Sequence, residues 1–247
     1  MSAHVIGVLP ARLDSKRFPR KVVYPYRGKP LLYYIWDSVR RSKEIDRLLI
    51  ASDSAEVISA AKSFGAETIR TSSRHRTGSD RVAEVLGKVN GDIFVNIQAD
   101  NFGLKGSALD RVLRSMKADR RLTVATLARR IESDHDLNNP GVVKVVLNTD
   151  GTAAWFSRYA IPYLQRPSRG SRFKQFPFLE HIGVYFYRRS ALEEFASQRR
   201  TPLEKVESLE QLRVLENGGS MKVFVTRARS VSVDCPEDLK KLDRLYR

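Results

Sequence analysis

Short apolar runs alternate with amphipathic segments through the first half of the chain. Residues 5–10 are apolar and β-branched, and apolar side chains recur every three or four residues within 30–41. The alternation continues with predicted strands at 47–51 and 67–70 on either side of a predicted helix at 55–64. Strands that alternate with helices in this way are typical of a parallel sheet covered by helices.

The pattern continues with a predicted helix at 79–89 and a strand at 92–97, which is followed by Gln98 and Asp100. Open α/β sheets bind ligands at the carboxyl ends of their strands, so polar residues at this point are candidates for a site. The second half predicts further elements of both kinds and an apparent hairpin. These are a helix at 107–118, strands at 122–127 and 142–147 with turn residues at 148–151, a helix at 203–216, a strand at 221–226 and a helix at 238–246.

The composition of the chain narrows the classes of protein to which it can belong. With 247 residues and 42% hydrophobic residues, the chain is long and apolar enough to build a core. We find no run of 18 apolar residues, and the stretch at 5–9 lacks a basic leader or a small-residue cleavage site, so we expect neither a membrane span nor a signal peptide. Cys235 is the only cysteine, which excludes an intramolecular disulfide and a cysteine zinc site and favours a cytoplasmic location.

The formal net charge of +16 points to anionic partners. A nucleic acid would be one such partner, and anionic nucleotides and acidic sugars are others. The basic residues are spread along the chain, and no recognised nucleic-acid module accompanies them. We therefore expect no nucleic-acid partner, and most of these side chains are solvated surface.

The loop at 11–21 concentrates five cationic side chains directly after the first predicted strand. Such a loop suits an anion, although neither a GxxxxGK[ST] nor a GxGxxG phosphate-binding motif is present. On composition alone, a basic surface loop is an equally good interpretation. A second loop, at 166–174, is rich in Arg, Ser, Gly and Pro and is either a mobile cover over a site or an exposed connection.

The residues of the first loop and several later motifs occur in a recognisable order. The chain resembles the synthetases that make the CMP derivative of 3-deoxy-manno-octulosonate (Kdo), and the ordered matches cover residues 5–240. The matches are Arg12, Ser15, Arg17, Pro19 and Lys21, then residues 28–30, 75–81, 96–98, 157–158, 161–163, 181–185, 201–204 with Arg213, and 233–238.

This resemblance implies a Rossmann-like nucleotidyltransferase of the α/β class, with a mostly parallel mixed central sheet flanked by helices. A single cytidylyltransferase domain would contain a nucleotide-binding part at 1–127, a smaller sugar-binding and dimer lobe at 128–217, and a return to the core sheet at 218–247. Family members are homodimers that join CTP to an acidic 3-deoxy sugar and release pyrophosphate, in the service of lipopolysaccharide or surface polysaccharide synthesis. The anomeric hydroxyl would attack the α-phosphate in line, with no covalent enzyme intermediate.

The resemblance also implies a CTP site and a magnesium site. Arg12, Arg17 and Lys21 would grip the triphosphate, and Asp100 and Asp234 would hold Mg²⁺, whose hard charge suits carboxylate oxygens. The catalytic set would be Lys21, Asp100 and Asp234. Without the resemblance, Asp100 is equally plausible as a turn residue and Asp234 as a helix cap. The remaining residues expected on the nucleotide side are Ser15, Arg76, Ser79, Asp80 and Arg81.

The acidic sugar would be held by six residues that match the family pocket. Arg158 and His181 would face its carboxylate, while Glu210 and Gln211 would bond its hydroxyl groups. Apart from the resemblance, His181 has the sequence context of an ordinary core histidine. The full sugar set is Gln98, Arg158, His181, Tyr185, Glu210 and Gln211.

Two segments depart from the family pattern. Where members have QGDEP, this chain has Ala99 in place of a residue that permits positive φ, Asn101 in place of a carboxylate, and Phe102 in place of a proline. Arg20 replaces a glycine and Val22 a proline in the phosphate loop. These changes keep two alternatives open: the same chemistry on an 8-amino-Kdo or sialate-like acid, and a non-enzymatic basic nucleotide-binding paralogue.

Overall fold

The computed structural model describes residues 3–14, 17–75, 77–228 and 230–246, and a mixed sheet of nine strands runs through these residues. The strands of this sheet are Val5–Pro10 (β1), Arg47–Ser52 (β4), Glu67–Arg70 (β5), Ile93–Ile97 (β6), Val124–Arg130 (β8), Lys144–Leu147 (β9), Ala153–Ser157 (β10), Leu179–Arg188 (β11) and Lys222–Val225 (β12). Their order is β10-β9-β11-β6-β1-β4-β5, and β8 pairs with β11 while β12 pairs with β8. Two short pairs lie apart from this sheet, Pro25–Tyr26 (β2) with Lys29–Pro30 (β3), and Asn101–Phe102 (β7) with Val231–Ser232 (β13).

The amino-terminal half of the sheet is parallel, as the alternating pattern predicts. β1 pairs in parallel with both β4 and β6, and β5 extends the sheet beyond β4. Every residue of β1 is buried, which explains why its sequence is a continuous apolar run rather than an alternating one. β11 is antiparallel to β6 and joins this half to the later strands.

Helices cover both faces of the sheet. Val5 and Leu9 of β1 pack into one apolar cluster and Ile6 and Val8 into the other, because successive side chains of a strand point to opposite faces. The helices are Leu31–Val39 (α1), Ala55–Lys62 (α2), Gly78–Leu86 (α3), Gly106–Ala118 (α4), Asp134–Asn138 (α5), Arg189–Ser197 (α6), Pro202–Glu207 (α7), Leu212–Glu216 (α8) and Leu239–Leu245 (α9). The predicted Rossmann-like α/β class is therefore confirmed.

The single helix predicted at 203–216 is wrong. The chain forms α7 and α8 instead, and Ser208 between them takes a left-handed conformation with φ 53°. Val206 is exposed while Leu209 and Leu212 are buried, so the apolar residues that suggested one helix do not share one face. The break turns Glu210 and Gln211 toward a cleft in the sheet, where a continuous helix would not place both.

None of the helices in the described part of the chain has the length and apolar content needed to cross a bilayer. The region predicted as a mobile or exposed loop, 166–174, is mostly irregular and exposed, with a short 3₁₀ turn at Arg172–Lys174.

Candidate active site

A cleft of about 790 Å³ opens beyond the carboxyl end of β6, where the sequence predicts ligand-binding residues. Its wall combines residues from the turn after β6, from β11, from the break between α7 and α8, and from the segment after β13. The predicted site residues on this wall are Arg17, Gln98, Asp100, Arg158, His181, Tyr185, Glu210, Gln211 and Asp234.

The phosphate loop at 11–20 meets the carboxyl-terminal segment at the mouth of the cleft. Arg17 Nη2 lies 2.9 Å from Asp234 Oδ1, and Lys21 Nζ donates to the carbonyl of Val233 at 2.8 Å. Arg12 is half-buried, and its guanidinium has no hydrogen-bond partner within the described residues. Basic side chains near the amino terminus thus meet the carboxyl-terminal segment that carries Asp234, a predicted metal ligand. Ser15 lies outside the described residues.

Arg20 occupies a strained position in this loop. Its backbone is left-handed, with φ 59° and ψ 22°, a conformation that costs a side chain other than glycine roughly 1–2 kcal/mol. Its guanidinium pairs with Glu56 of α2. Val22 is buried in the apolar cluster on this face of the sheet. The loop therefore keeps the backbone shape that a glycine would favour at residue 20, and the added cation is paired with α2.

Asp100 and Asp234 form the negative part of the cleft. Burial raises the pKa of the Asp100 carboxyl, Lys21 opposes that shift, and the nearby charge of Asp234 adds to it. Two carboxylates that repel each other are stabilised by a shared cation. The described residues contain no group of three or more His, Cys, Asp or Glu side chains that would enclose a metal ion. This donor set fits Mg²⁺, which binds through one or two carboxylates and keeps waters or phosphate oxygens.

The two carboxylates are held together by the β7–β13 pair, in which Asn101 faces Ser232 and Phe102 faces Val231. Asn101 Nδ2 donates to the carbonyl of Gly183 at 3.0 Å, and Phe102 is fully buried. Asn101 and Phe102, two of the residues that depart from the family pattern, are thus built into the support of the site.

Ala99 is not among the described residues with positive φ. Gly103, which follows β7, is left-handed instead, with φ 80°. The turn after β6 therefore forms without strain although Ala99 stands where the family has a residue that permits positive φ.

The amino terminus of α3 forms a buried polar support beside Arg12. Asp80 and Thr77 make a reciprocal capping box, and Ser79 is fully buried with its hydroxyl 2.9 Å from Asn96 Nδ2. Arg81 is 1% exposed and pairs with Asp53 at 2.8 Å. The described wall of the cleft includes none of Ser79, Asp80 and Arg81, so their predicted contact with CTP stays a prediction. Arg76 lies outside the described residues.

Arg158 is held in place by backbone carbonyls. Its Nε donates to Glu207 O at 2.7 Å, its Nη1 to Pro140 O at 2.9 Å, and its Nη2 to Ser208 O at 3.4 Å. A guanidinium has five N–H donors in a rigid fork, so two remain for a ligand. Among the described cations on the cleft wall, Arg158 alone forms no ion pair; the others pair as Arg17–Asp234, Arg129–Glu180, Arg200–Glu204 and Lys241–Asp238.

Four more residues predicted for the sugar form a partly buried polar cluster on the cleft wall. Tyr185 Oη donates to Gln211 Oε1 at 2.9 Å, and Gln98 Nε2 donates to Glu210 Oε1 at 3.4 Å. Burial raises the pKa of both Tyr185 and Glu210. The tyrosine is therefore a neutral donor, and a proton on Glu210 is easier to retain than on an exposed glutamate.

Gly183 makes room for this cluster. A Cβ at residue 183 would lie 3.0 Å from Gln98 Oε1 and 3.3 Å from Asn101 Nδ2, which is tighter than side chains normally pack. The close approach of β11 to the turn after β6 therefore favours glycine, because a larger residue would displace the Gln98 and Asn101 side chains.

His181 lies on the cleft wall with its Nε2 2.9 Å from the hydroxyl of Thr126. Burial lowers the pKa of the imidazole to about 3, so the ring is neutral near physiological pH. The neutral ring therefore does not supply the positive charge with which His181 was expected to pair with a carboxylate.

Two residues of the site were missed in the sequence: Thr126 and Glu207. Each acts through a neighbour that is distant in the chain, such as His181 for Thr126 and Arg158 for Glu207. The only available signal was Thr126 itself, a polar residue inside the apolar run of β8.

Comparison with known proteins adds family information to this geometry. The sequence profile of the family described as Cytidylyltransferase matches residues 6–227. The 3-deoxy-manno-octulosonate cytidylyltransferase of Pelobacter propionicus is 38% identical over 99% of this chain and 98% of its own length. That of Solibacter usitatus is also 38% identical, over 100% of this chain and 96% of its own. A solved CMP:2-keto-3-deoxy-manno-octonic acid synthetase complexed with CTP superimposes with a TM-score of 0.89 at 33% identity, covering 99% of this chain and 98% of that one.

Proposed function

Because the chain belongs to the 3-deoxy-manno-octulosonate cytidylyltransferase family and is a nucleotidyltransferase, we propose that it transfers CMP from CTP to the anomeric hydroxyl of Kdo. Pyrophosphate is the second product. The observation that carries the proposal is the convergence, in one cleft, of Arg17, Asp100 and Asp234 on one side with the six sugar-side residues on the other. CMP-Kdo serves lipopolysaccharide or surface polysaccharide synthesis.

The reaction is one in-line displacement. The anomeric oxygen forms a bond to the α-phosphorus, the bond from that phosphorus to the α–β bridging oxygen breaks, and the hydroxyl proton is released. Arg12, Arg17 and Lys21 stabilise the charge that develops on the departing pyrophosphate. The protein forms no covalent bond, so its contribution is positioning and electrostatic stabilisation.

Arg158 orients the acceptor sugar. Its two free N–H groups match the two oxygens of a carboxylate, and its three contacts with carbonyls fix the guanidinium before the sugar arrives. Gln98, Tyr185, Glu210 and Gln211 supply donors and acceptors for the hydroxyl groups. This division of roles explains a preference for a sugar that carries a carboxylate.

We assign Asp100 and Asp234 to a magnesium ion. A bound Mg²⁺ would supply Lewis-acid stabilisation of the α-phosphate and lower the pKa of the attacking hydroxyl. Asp238 accepts the backbone N–H of Asp234 at 2.9 Å, and the Ser232 hydroxyl lies 3.3 Å from Asp234 Oδ2, so the Asp234 carboxylate is oriented from two sides.

Pyrophosphate release tests this function directly. The purified protein should release pyrophosphate with CTP, Kdo and Mg²⁺ together, and omission of any one component or replacement of CTP by UTP should suppress it. Asp100→Asn and Asp234→Asn should each lower turnover about a hundredfold or more, because each removes a charged metal ligand. Glu67→Gln, which breaks an exposed ion pair with Arg47 on the far edge of the sheet, is the matched control and should keep full activity. Release without Kdo, or full activity in Asp100→Asn, would contradict the proposal.

We also infer a homodimer through the lobe at 128–217. Tyr159, Tyr163 and Val206 of this lobe are 83%, 83% and 82% exposed, which is unusual for side chains of this size. Arg158 and Glu207, the chain neighbours of Tyr159 and Val206, are hydrogen-bonded, so the two segments that carry these exposed side chains meet. Light scattering should give a dimer for the parent and a monomer for Val206→Asp, whereas the control Val225→Asp on β12 should remain a dimer. A monomeric parent protein would contradict the proposed dimer interface.

The same lobe division separates the two substrates. Asp100 and Asp234 come from the parts at 1–127 and 218–247, whereas Arg158, His181 and Glu210 come from the lobe at 128–217. We assign the first two parts mainly to CTP and the lobe mainly to the sugar, for which the part at 1–127 also supplies Gln98. A cytoplasmic location agrees with the supply of CTP and with a single cysteine.

A further inference from the structure

β11 departs from regular pairing with β8 directly beside the cleft. Ile182 faces Leu127, whereas Tyr185 faces Thr126, so two additional residues of β11 are accommodated between neighbouring residues of β8. This irregularity brings His181 and the carbonyl of Val184 to the same hydroxyl of Thr126. Thr126 is fully buried, so no solvent competes for that hydroxyl.

The hydroxyl of Thr126 has one proton and three nearby groups that can receive it, of which Ile182 O is the most distant at 3.4 Å. Its oxygen lies 2.7 Å from Val184 O and 2.9 Å from His181 Nε2. A carbonyl oxygen can only accept, so the short contact with Val184 O requires the hydroxyl to donate there. The hydroxyl must then accept from His181, and the imidazole carries its proton on Nε2.

The other ring nitrogen is left as an acceptor. No hydrogen bond joins His181 Nδ1 to any residue in the described ranges, and it is not one of their buried unpaired polar atoms. Edge-on packing against Phe156, with ring centroids 5.0 Å apart, and contact with Tyr185 at 5.4 Å hold the plane of the ring. Burial lowers the pKa of the ring to about 3, which agrees with a single proton on the imidazole.

We infer that Thr126 is a positioning residue that holds His181 as the Nε2–H tautomer, and that His181 Nδ1 accepts a hydrogen bond from a hydroxyl group of the acidic sugar. This inference rests on the proposed function for the identity of the sugar. It replaces the expected contact of His181 with the sugar carboxylate, since an acceptor nitrogen repels a carboxylate oxygen. Arg158 then holds the carboxylate, and His181 selects for a donor at one position of the polyhydroxy chain.

The tautomer is measured without substrates. Long-range ¹H–¹⁵N correlation of histidine-labelled protein should show His181 protonated on Nε2 and unprotonated on Nδ1, with its signals identified by their loss in His181→Phe. Addition of Kdo alone should shift the Nδ1 resonance in the direction expected for accepting a hydrogen bond. A proton on Nδ1, or a doubly protonated ring at neutral pH, would overturn the inference.

Two substitutions at residue 126 separate positioning from packing. Thr126→Val keeps the shape and removes the acceptor, and should raise KM for Kdo about tenfold with little change in KM for CTP, as expected for one lost hydrogen bond. Thr126→Ser keeps the hydroxyl and should restore both the tautomer and KM. Equal losses in the two variants would show a packing role only and would overturn the inference.

Kdo analogues that each lack one hydroxyl group test the contact itself. One of them should lose about tenfold in kcat/KM with the parent protein, and that loss should vanish in His181→Phe. The same loss in both proteins at every position would contradict the contact. A protein with the expected tautomer and no turnover would instead refute the proposed function, whereas an active protein with the opposite tautomer would refute this inference alone.

Discussion

Arg17 and Asp234 are separated by 217 residues in the chain and form an ion pair of 2.9 Å at the mouth of the cleft. The guanidinium therefore occupies one oxygen of a carboxylate that we assign to the metal ion. The Arg17 side chain is 71% exposed, so the pair is weak and exchangeable. Arrival of a nucleotide with its metal would let Arg17 leave the carboxylate and meet a phosphate.

Removing Arg17 should therefore change metal and nucleotide binding in opposite directions. Arg17→Ala should bind Mg²⁺ or Mn²⁺ alone about threefold more tightly, since an exposed ion pair contributes about 0–1 kcal/mol. Its KM for CTP should rise by about tenfold, because a charge-assisted contact with phosphate is lost. Calorimetry and steady-state kinetics measure the two effects. Arg40→Ala, which removes an exposed arginine paired with Asp37, is the control. Weaker metal binding in Arg17→Ala would contradict the exchange.

Arg158→Ala should affect the sugar far more than the nucleotide. We expect KM for Kdo to rise by about tenfold to a hundredfold, since the loss of a paired charge costs about 1.5–3 kcal/mol. KM for CTP should change by less than about twofold because we assign Arg158 to the sugar. Arg199→Ala, an exposed arginine of the same lobe, should leave both values unchanged. Equal increases in both KM values would refute the assignment of Arg158 to the carboxylate.

The left-handed backbone of Arg20 predicts an unusual stability effect. Arg20→Gly should raise the free energy of unfolding by about 0.5 kcal/mol, because relief of the left-handed strain exceeds the entropy cost of glycine and the loss of the exposed pair with Glu56. The same exchange at Lys62, in the helical backbone of α2, should lower stability by about 1 kcal/mol. Urea denaturation of both variants measures the difference. A loss at Arg20 as large as that at Lys62 would show that the position is not strained.

Half-buried His181, on the cleft wall, predicts a loss of stability in acid. Its pKa is lowered by burial from 6.5 to about 3, so the unfolded chain takes up a proton that the folded protein refuses. The associated stability is complete above pH 6.5 and falls as pH decreases from there toward 3. Between pH 6.5 and about 4.5 the parent should lose about 2 kcal/mol more than His181→Phe. Parallel pH profiles in urea denaturation would contradict the neutral ring.

Local pattern was enough to predict the parts of the fold that depend on neighbouring residues. β1 and β5 have the predicted bounds because each is a short apolar or β-branched run beside a turn. The family resemblance also identified the nine predicted residues on the cleft wall, because its motifs match segments that are distant in the chain.

What escaped prediction depends on contacts between distant segments. Ser208 breaks the helix predicted at 203–216 without a glycine or proline to mark the point, and Glu204 then pairs with Arg213 across the break. The tautomer of His181 depends on Thr126, which lies 55 residues earlier. Neither relation leaves a periodic signal in the sequence.

The central claim is the transfer of CMP to the anomeric hydroxyl of Kdo, and ³¹P nuclear magnetic resonance of the complete reaction tests it most directly. With CTP, Kdo and Mg²⁺, the protein should convert CTP into equal amounts of a sugar phosphodiester and pyrophosphate. Consumption of CTP to free CMP without a phosphodiester, or no consumption when both substrates are present, would contradict the account.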